Sequence, residues 1–233
     1  MTGTVTQLQP GAATRPVLHV RLQRLDLKGT QVLAALDLRV TKGETVAIVG
    51  PSGIGKSTLL RAIAGLTTRF SGQIDAPERT ALIFQEPTLL PWRTLTDNLR
   101  VTARIGAEDA RHWLGAVGLA GRGDDFPGQL SLGQQRRLAL ARAFAMRPEL
   151  LLMDEPFVSL DPELVDEMMG LFAQLRAETQ TTTLFVTHVE DEARRLASRI
   201  VTLGGPPARI TGDAQNKGAY FQLSASGVTS SRS

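Results

Sequence analysis

Nine consecutive residues in the first third of the chain have the types and the spacing needed to bind phosphate. They are Gly50, Pro51, Ser52, Gly53, Ile54, Gly55, Lys56, Ser57 and Thr58, which we call the phosphate loop. Glycines allow successive backbone N–H groups to point at one anion, and the positive end of a following helix adds to that attraction. The lysine adds a charge near the outer phosphates, and the serine hydroxyl can hold Mg²⁺. The phosphate loop is therefore predicted to bind a nucleoside triphosphate.

The elements on either side of the phosphate loop are those that this pattern requires. Residues 44–49 are a short apolar run of strand length, and residues 59–64 have a helical pattern. The alternative is a glycine-rich turn that binds nothing. That alternative gives no purpose to Lys56 and Ser57 at the start of the helix.

Four polar residues elsewhere come directly after short apolar segments: Gln85, Asp154, Glu155 and His188. The apolar segments alternate with helical patterns, which predicts a mostly parallel sheet with helices on both faces. Ligands of such sheets bind outside the carboxyl ends of the strands. We therefore expect the four residues and the phosphate loop to lie along one edge, around the same bound phosphate.

The chemistry of these side chains gives each one a role at that edge. Asp154 and Ser57 supply oxygens for Mg²⁺, directly or through water, and Gln85 is placed to sense the Mg²⁺ ion or the water. Glu155 is expected to polarise the attacking water as general base, while His188 contacts the γ-phosphate. Solvated charges at a strand end and an exposed histidine are the alternatives. The predicted catalytic residues are Glu155, His188 and Lys56.

Composition divides the chain into a core and two tails. Residues 1–16 and 213–233 are rich in small and polar residues without a period, and we expect them to be disordered or flexible. Residues 17–212 form one predicted domain. Within it, residues 88–145 have helical periodicity and no strand pattern, so we interpret them as an α-helical subdomain inserted in a nucleotide-binding core.

The last helix of that subdomain starts at Ser131. Gln134, three residues later, gives this start the form of a capping box. A capped helix start that also carries Gly133 can serve as a second anion site. An ordinary capped helix without a ligand is the alternative.

The overall composition is that of a soluble globular protein. The chain has 233 residues, a net charge of +3 and no cysteine, which is enough length for a sizeable core and excludes disulfides and thiol chemistry. No apolar run approaches the ~18 residues of a membrane span, and the N-terminus lacks a secretory signal pattern. We expect a chain that neither crosses a membrane by itself nor is exported. The net charge is too small to argue for nucleic acid.

Taken in order, these motifs resemble those of the ATP-binding subunits of ABC transporters, over about residues 17–210. The matching positions are residues 50–57, Gln85, residues 130–134, residues 150–156, residues 159–161 and His188. A phosphate loop alone is shared by many NTPases, whereas this ordered set is specific. Residues 84–92 look more particularly like the importers of nitrate, sulfonate and taurine.

The resemblance implies an α/β fold of the P-loop NTPase (RecA-like) type, with a mostly parallel sheet, an antiparallel β edge and an inserted α-helical subdomain. It implies ATP and Mg²⁺ as ligands and ATP hydrolysis as the reaction. Two copies would face head to tail, with each ATP between one phosphate loop and the other copy's residues 131–134 (the signature segment). The residues acting in trans would be Ser131, Gly133 and Gln134, and Asp161 would communicate across the dimer.

The resemblance also implies a peripheral position on the cytoplasmic side of the inner membrane. The partners would be integral permease subunits, together with an extracytoplasmic substrate-binding protein, and not nucleic acid. Leu89, Leu90 and Trp92 lie where the family meets a permease helix, and packing of the insert's own core is the equal alternative. Two other functions stay open: a soluble ABC ATPase acting on nucleic acid or in protein assembly, and the ATPase module of an exporter.

Two residues depart from the family pattern. Leu132 stands where the family usually has glycine, so its backbone needs a negative φ and its side chain crowds the approach to phosphate. Leu27 stands near the position of the aromatic residue that stacks on adenine, which leaves an apolar contact for the base. Neither residue replaces a member of the predicted catalytic set, so hydrolysis is still predicted.

Overall fold

Two β-sheets enclose the helix that starts at the phosphate loop, in a computed structural model that describes residues 4–7 and 16–218. In that part of the chain the strands are β1 (Thr4–Gln7), β2 (Leu18–Leu27), β3 (Thr30–Leu33), β4 (Leu36–Val40), β5 (Thr45–Val49), β6 (Phe70–Ala76), β7 (Thr80–Ile83), β8 (Leu150–Asp154), β9 (Thr182–Thr187), β10 (Arg199–Gly204) and β11 (Arg209–Gln215). The helices there are α1 (Lys56–Ile63), α2 (Leu95–Ala103), α3 (Ala107–Ala116), α4 (Leu132–Ala145), α5 (Pro162–Thr179) and α6 (Glu190–Leu196), with a 3-10 turn at Pro127–Gln129.

The larger sheet has the strand order β11-β10-β5-β9-β8-β7. The strands from β10 to β7 pair in parallel, and β11 pairs antiparallel with β10 at one edge. Helix α5 connects β8 to β9, and α6 connects β9 to β10. The predicted fold class is confirmed by this mostly parallel sheet with its antiparallel edge and by the helices between β7 and β8.

Alternate side chains of the central strands belong to two separate cores. Ile48 on β5 and Leu152 on β8 pack on the side of α1 and the smaller sheet. Ala47 and Met153, their neighbours in sequence, pack with the helices of the opposite face. Because both faces are covered, β5, β8 and β9 are buried along their whole length, and the middle residues of each strand are apolar.

The smaller sheet covers the other side of α1. Strand β2 pairs antiparallel with β3, β4 and β6, and its alternate residues Leu18, Val20 and Leu22 are buried in the core that contains α1. This alternation is typical of a sheet with one face toward a core and one toward solvent. Helix α1, which follows the phosphate loop, is thereby packed between the two sheets.

Between residues 88 and 145 the structure has α2, α3, α4 and the 3-10 turn, and no strand is found among these residues, all of which are described. The three helices pack on one another, and α4 also packs on β7 and α5. The inserted subdomain predicted for residues 88–145 is therefore matched by a helical segment, although its independence as a domain stays a prediction.

Asn98 on α2 orders the segment that precedes this helix. It is fully buried, its Nδ2 donates to the carbonyls of Leu90, Arg93 and Thr94, and its Oδ1 accepts from the Leu90 N–H at 2.8 Å. The ordered segment leaves Trp92 70% exposed.

The apolar residues that follow Gln85 in sequence, Leu89, Leu90 and Trp92, therefore do not share one environment. Leu89 packs against the core that includes the helical segment, as the alternative of packing in the insert's own core requires. For Trp92, which is exposed, that alternative is wrong.

The two tails predicted from composition need a correction at their inner parts. Residues 4–7 form β1, which pairs in parallel with β6, and Asp213–Gln215 complete β11. The Thr-Val-Thr alternation of β1 has strand propensity that the overall composition of the tail conceals. Residues 1–3, 8–15 and 219–233 lie outside the described residues.

Candidate nucleotide site at the carboxyl edge of the parallel strands

The phosphate loop connects the end of β5 to the start of α1. Gly55 precedes the first residue of α1 with a φ of 108°, and Gly53 has a φ of 77°, both in the left-handed region that favours glycine. The first turn of α1 carries no acidic residue, so its backbone N–H groups keep their attraction for an anion. The loop therefore has the backbone shape predicted from its sequence.

Lys56 reaches back across the phosphate loop. Its Nζ donates to the carbonyl oxygens of Gly50 at 2.8 Å and Pro51 at 3.0 Å. Burial lowers the pKa of Lys56, and the nearby carboxylates of Glu155 and Asp154 act in the opposite direction. The cation is thus fixed at the loop and faces the two acidic residues with which it was predicted to act.

The strand order brings the predicted residues together along one edge. Strands β5, β9, β8 and β7 are neighbours, so the residues that follow them come in the spatial order Gly50, His188, Asp154 with Glu155, and Gln85. The pairs Val49 with Thr187 and Asp154 with Val186 are in register, which places the strand ends at the same level. Their convergence depends on the parallel pairing alone.

Ser57 and Asp154 are joined directly. The Ser57 hydroxyl donates to Asp154 Oδ1 at 2.6 Å, and Asp154 is buried at the end of β8. A hydroxyl and a carboxylate oxygen side by side beside a phosphate-binding loop are donors that suit Mg²⁺. The donor set therefore fits the predicted ion.

Glu155 and His188 form the other close pair of the site. His188 Nδ1 lies 3.3 Å from Glu155 Oε1, and the Glu155 N–H donates to the carbonyl of Val186 at 3.0 Å. Glu155 has a φ of 46°, which is unusual for a residue with a side chain and is often found at functional sites. The contact between imidazole and carboxylate is the one expected if His188 orients the predicted base.

Gln85 lies one strand further along the same edge. It is exposed, two residues beyond the end of β7, and no hydrogen bond joins its side chain to another residue of the described chain. The loop that follows is held by Arg142 of α4, which donates to the carbonyls of Pro87 at 3.0 Å and Thr88 at 2.8 Å. The side chain of Gln85 is therefore not fixed by a hydrogen bond, whereas the loop that follows it is.

The signature segment begins α4 as predicted. The Ser131 hydroxyl accepts from the Gln134 N–H at 3.3 Å, and Gln134 Oε1 accepts from the Ser131 N–H at 3.1 Å. Within the described part of the chain, no hydrogen bond or ion pair joins Ser131, Gly133 or Gln134 to the phosphate loop. The role of this helix start as a second anion site stays a prediction.

Leu132 is accommodated without backbone strain. It is the first residue of α4 and is absent from the residues with positive φ, so the negative φ that it requires is present. Its side chain is 46% exposed beside Ser131. The departure from glycine thus changes the exposed surface of the signature segment and leaves the helix start intact.

Asp161 caps α5. Its carboxylate accepts from the Leu164 N–H at 3.0 Å, and Pro162 occupies the first helical position. This hydrogen bond accounts for the aspartate in structural terms. Communication with a second copy stays a prediction.

The sequence reasoning missed Arg136. This buried arginine of α4 donates to the carbonyls of Pro156 at 2.9 Å and Val158 at 2.6 Å, in the loop that follows Glu155. Helical periodicity places Arg136 on the same face as Gly133 and Leu140, which are also buried. A charge on a buried helical face was the signal that could have identified it.

The described residues contain no group of three or more His, Cys, Asp or Glu side chains arranged to hold a metal ion. None of their helices has the length and apolar character needed to cross a membrane.

Residues 33–158 match the model of a family described as ABC transporter. A relative from Paraburkholderia xenovorans, the aliphatic sulfonates import ATP-binding protein SsuB 3, is 49% identical over 174 residues, or 74% of this chain and 70% of the relative. The aliphatic sulfonates import ATP-binding protein SsuB 1 of Pseudomonas savastanoi pv. phaseolicola is 40% identical over 200 residues, or 84% of each chain.

Solved structures have the same fold. The structure of cbiO1 from Clostridium perfringens, part of the ABC transporter complex cbiONQ, has a TM-score of 0.76 at 25% identity and covers 88% of this chain and 90% of its own. A dimeric post-hydrolysis state of the ATP-binding cassette MJ0796, bound to ADP and Pi, has a TM-score of 0.72 at 27% identity and covers 86% and 99%.

Proposed function

The chain belongs to the ABC transporter family, and from that premise we propose that it is the ATP-hydrolysing subunit of an importer of aliphatic sulfonates. The predicted family, the binding of ATP and the ATPase class are confirmed. The relatives described above carry the names of import proteins. None of these likenesses favours an exporter or a soluble ATPase of nucleic-acid or protein-assembly work.

The observation that carries the catalytic proposal is the convergence of five side chains on one strand edge. They are Lys56, Ser57, Asp154, Glu155 and His188. In the proposed reaction, the phosphate loop binds the phosphates of ATP and Lys56 neutralises charge on them. Glu155 accepts a proton from the attacking water, and His188 holds Glu155 and the γ-phosphate in register.

Ser57 and Asp154 are proposed to hold Mg²⁺, with Gln85 as the third residue. Bound there, the ion would neutralise charge on the β- and γ-phosphates. The contact of 2.6 Å between Ser57 Oγ and Asp154 Oδ1 supports this assignment, because it brings two oxygen ligands to one point beside the phosphate loop.

The working unit is proposed to be a head-to-tail homodimer. In each chain Ser131 and Leu132 are exposed at the start of α4, and within the described residues the signature segment makes no polar contact with the chain's own phosphate loop. Ser131, Gly133 and Gln134 would therefore complete the ATP site of the second copy, with Asp161 between the two sites. The dimeric state of the related cassette supports this arrangement.

The membrane partners are proposed to be permease subunits, contacted from the cytoplasmic side. Trp92 supports this, because the side chain is 70% exposed although Asn98 fixes the segment around it. Trp is enriched among the interface residues that contribute most to the binding energy of protein complexes. An extracytoplasmic protein that binds the sulfonate would complete the importer.

The variant Glu155→Gln tests the catalytic part of the proposal. Gln keeps the size of Glu but cannot accept a proton, so we expect ATP hydrolysis to fall at least 100-fold while ATP binding persists. Size-exclusion chromatography with ATP and Mg²⁺ should then show a dimer that the parental protein forms only briefly. Glu178→Gln, in an exposed residue at the far end of α5, is the control. Hydrolysis by Glu155→Gln at the parental rate would exclude Glu155 as the base.

Copurification tests the transport part. Affinity-tagged chain is isolated from membranes solubilised in detergent, and an integral membrane protein is expected to accompany it. The ATPase rate of that complex should rise when a sulfonate-loaded binding protein is added, and should not respond to unrelated anions. Copurification with ribosomes or nucleic acid would support the soluble alternative instead.

A further inference from the structure

The Thr187 hydroxyl forms two hydrogen bonds beside His188, one with Glu192 and one with Val189. The Thr187 hydroxyl donates to Glu192 Oε2 at 2.5 Å and accepts from the Val189 N–H at 3.0 Å. The residue before His188 is thus tied through its side chain to the main chain of the residue after it. We call this arrangement the Thr187 bracket.

The group that completes the bracket is a buried carboxylate. Glu192, in the first turn of α6, is 6% exposed, whereas Glu190 and Asp191 beside it are exposed. Burial raises the pKa of Glu192, and the hydrogen bond from Thr187 acts in the opposite direction. Burying a carboxylate is unfavourable unless it is hydrogen-bonded, and an apolar residue would satisfy packing at this position. Packing alone therefore does not explain why an acidic residue stands at position 192.

His188 lies in the short connection that the Thr187 bracket spans. Strand β9 ends at Thr187 and α6 begins at Glu190, so His188 and Val189 belong to neither element. The His188 side chain is 38% exposed, and its Nδ1 lies 3.3 Å from Glu155 Oε1. Without the bracket, the connection between β9 and α6 has more freedom, and the imidazole moves with it.

We propose that Glu192 is a positioning residue for ATP hydrolysis, which acts through Thr187 to fix the backbone on both sides of His188. The proposal rests on the roles given above to Glu155 and His188. A displacement of about 1 Å in a reacting group can lower a rate roughly 100-fold. Loss of the bracket should therefore lower kcat, while the KM for ATP, which depends on the phosphate loop, stays near its parental value.

A purely structural role for Glu192 is the competing explanation. Loss of a structural contact lowers the melting temperature and the folded fraction. It leaves kcat unchanged when the rate is divided by the number of ATP-binding sites measured in the same preparation. The two explanations therefore differ in kcat per site.

Four variants of the full chain provide the test. Thr187→Val removes the hydroxyl and keeps the shape of the side chain, whereas Thr187→Ser keeps the hydroxyl. Glu192→Gln keeps an oxygen that can accept from Thr187 but removes the charge. Glu190→Gln is the matched control, because Glu190 is exposed and pairs with Arg194 on the surface of α6.

We expect kcat per site to fall roughly tenfold to 100-fold in Thr187→Val, with the KM for ATP within about twofold of the parental value. Thr187→Ser should restore kcat to within about threefold of the parental value, by the same reasoning. Glu192→Gln should lie between the two Thr187 variants, and Glu190→Gln should equal the parental protein. If Thr187→Val does not fold, Glu192→Ala replaces it and is compared with Glu192→Gln.

Three outcomes count against the proposal, and they are distinguishable. A Thr187→Val protein with parental kcat per site overturns the role of the bracket while the proposed function stands. An increase in KM alone shows that the bracket serves ATP binding, and this also overturns it. A parental protein that binds ATP and does not hydrolyse it overturns both the bracket and the proposed function.

Discussion

Gly50, the first residue of the phosphate loop, lies close to the backbone of β10. The variant Gly50→Ala therefore tests whether the site depends on this close approach. Gly50 has a φ of 156°, and a β-carbon added there would lie 2.7 Å from the carbonyl oxygen of Leu203 on β10. Gly53 provides the matched control. It also has a positive φ, 77°, but an added β-carbon would meet no atom within 4 Å.

The expected magnitudes follow from these two geometries. Both variants have backbone strain, about 1 kcal/mol for alanine at Gly53 and ~1–3 kcal/mol at the more extreme φ of Gly50. Gly50→Ala adds ~1–3 kcal/mol for displacing the backbone of β10. At about 2–4 °C per kcal/mol for a domain of this size, the melting temperature should fall by about 2–4 °C in Gly53→Ala and about 4–24 °C in Gly50→Ala.

ATP binding should separate the same two variants. The Gly50 carbonyl accepts from Lys56 Nζ at 2.8 Å, and displacement of Gly50 would disturb this contact. A hydrogen bond to a charged group contributes ~1.5–3 kcal/mol, so the Kd for ATP should rise about tenfold to 100-fold in Gly50→Ala. Gly53→Ala should change Kd much less.

Differential scanning calorimetry and titration with a fluorescent ATP analogue measure both quantities. Equal melting temperatures for the two variants would refute the argument that the backbone of β10 excludes a side chain at Gly50. A lowered melting temperature with unchanged ATP affinity would refute the argument that this carbonyl positions Lys56.

Two further predictions concern residues outside the site. Asn98→Ala removes the four hydrogen bonds that hold residues 90–94, and should destabilise the chain by about 2–4 kcal/mol and expose this segment to limited proteolysis; an unchanged cleavage pattern would contradict it. Asp213→Asn should lower the melting temperature at pH 7 by about 2–4 °C, because Asp213 is 40% exposed and its bidentate pair with Arg199 is worth about 1 kcal/mol. The hydrogen bond from Arg199 lowers the pKa of Asp213, so this stabilisation is present at neutral pH and is lost as the pH falls below about 4. A difference between the two proteins that is as large at pH 3 as at pH 7 would contradict this reasoning.

The main features of the site could be predicted because they depend on strand ends. Apolar runs end at or just before Gly50, Asp154 and His188. Because these strands are parallel, their ends lie along one edge of the sheet. The capping box at Ser131 depends on residues within one helical turn, and it too is present. Patterns that are local in sequence, or that follow from parallel pairing, were therefore predictable.

Other contacts of the site depend on packing between distant segments, and the sequence could not predict them. Arg136 bonds to carbonyls 20 and 22 residues away, and the burial of Glu192 follows from how α6 lies on the sheet. β1 exists through main-chain pairing with β6, which lies nearly 70 residues further along the chain. Side-chain periodicity carries no information on such pairings.

The two arginines of α4 have a consequence for how this molecule can move. Arg142 bonds to the loop after β7 and Arg136 to the loop after β8, in each case through carbonyl oxygens of the main chain. Both loops start at the edge where the triphosphate would bind, while the helix that follows the phosphate loop is packed between the two sheets. A change at the nucleotide would therefore be transmitted to α4 through main-chain hydrogen bonds in two separate loops, and α4 would carry it into the helical segment that it packs against.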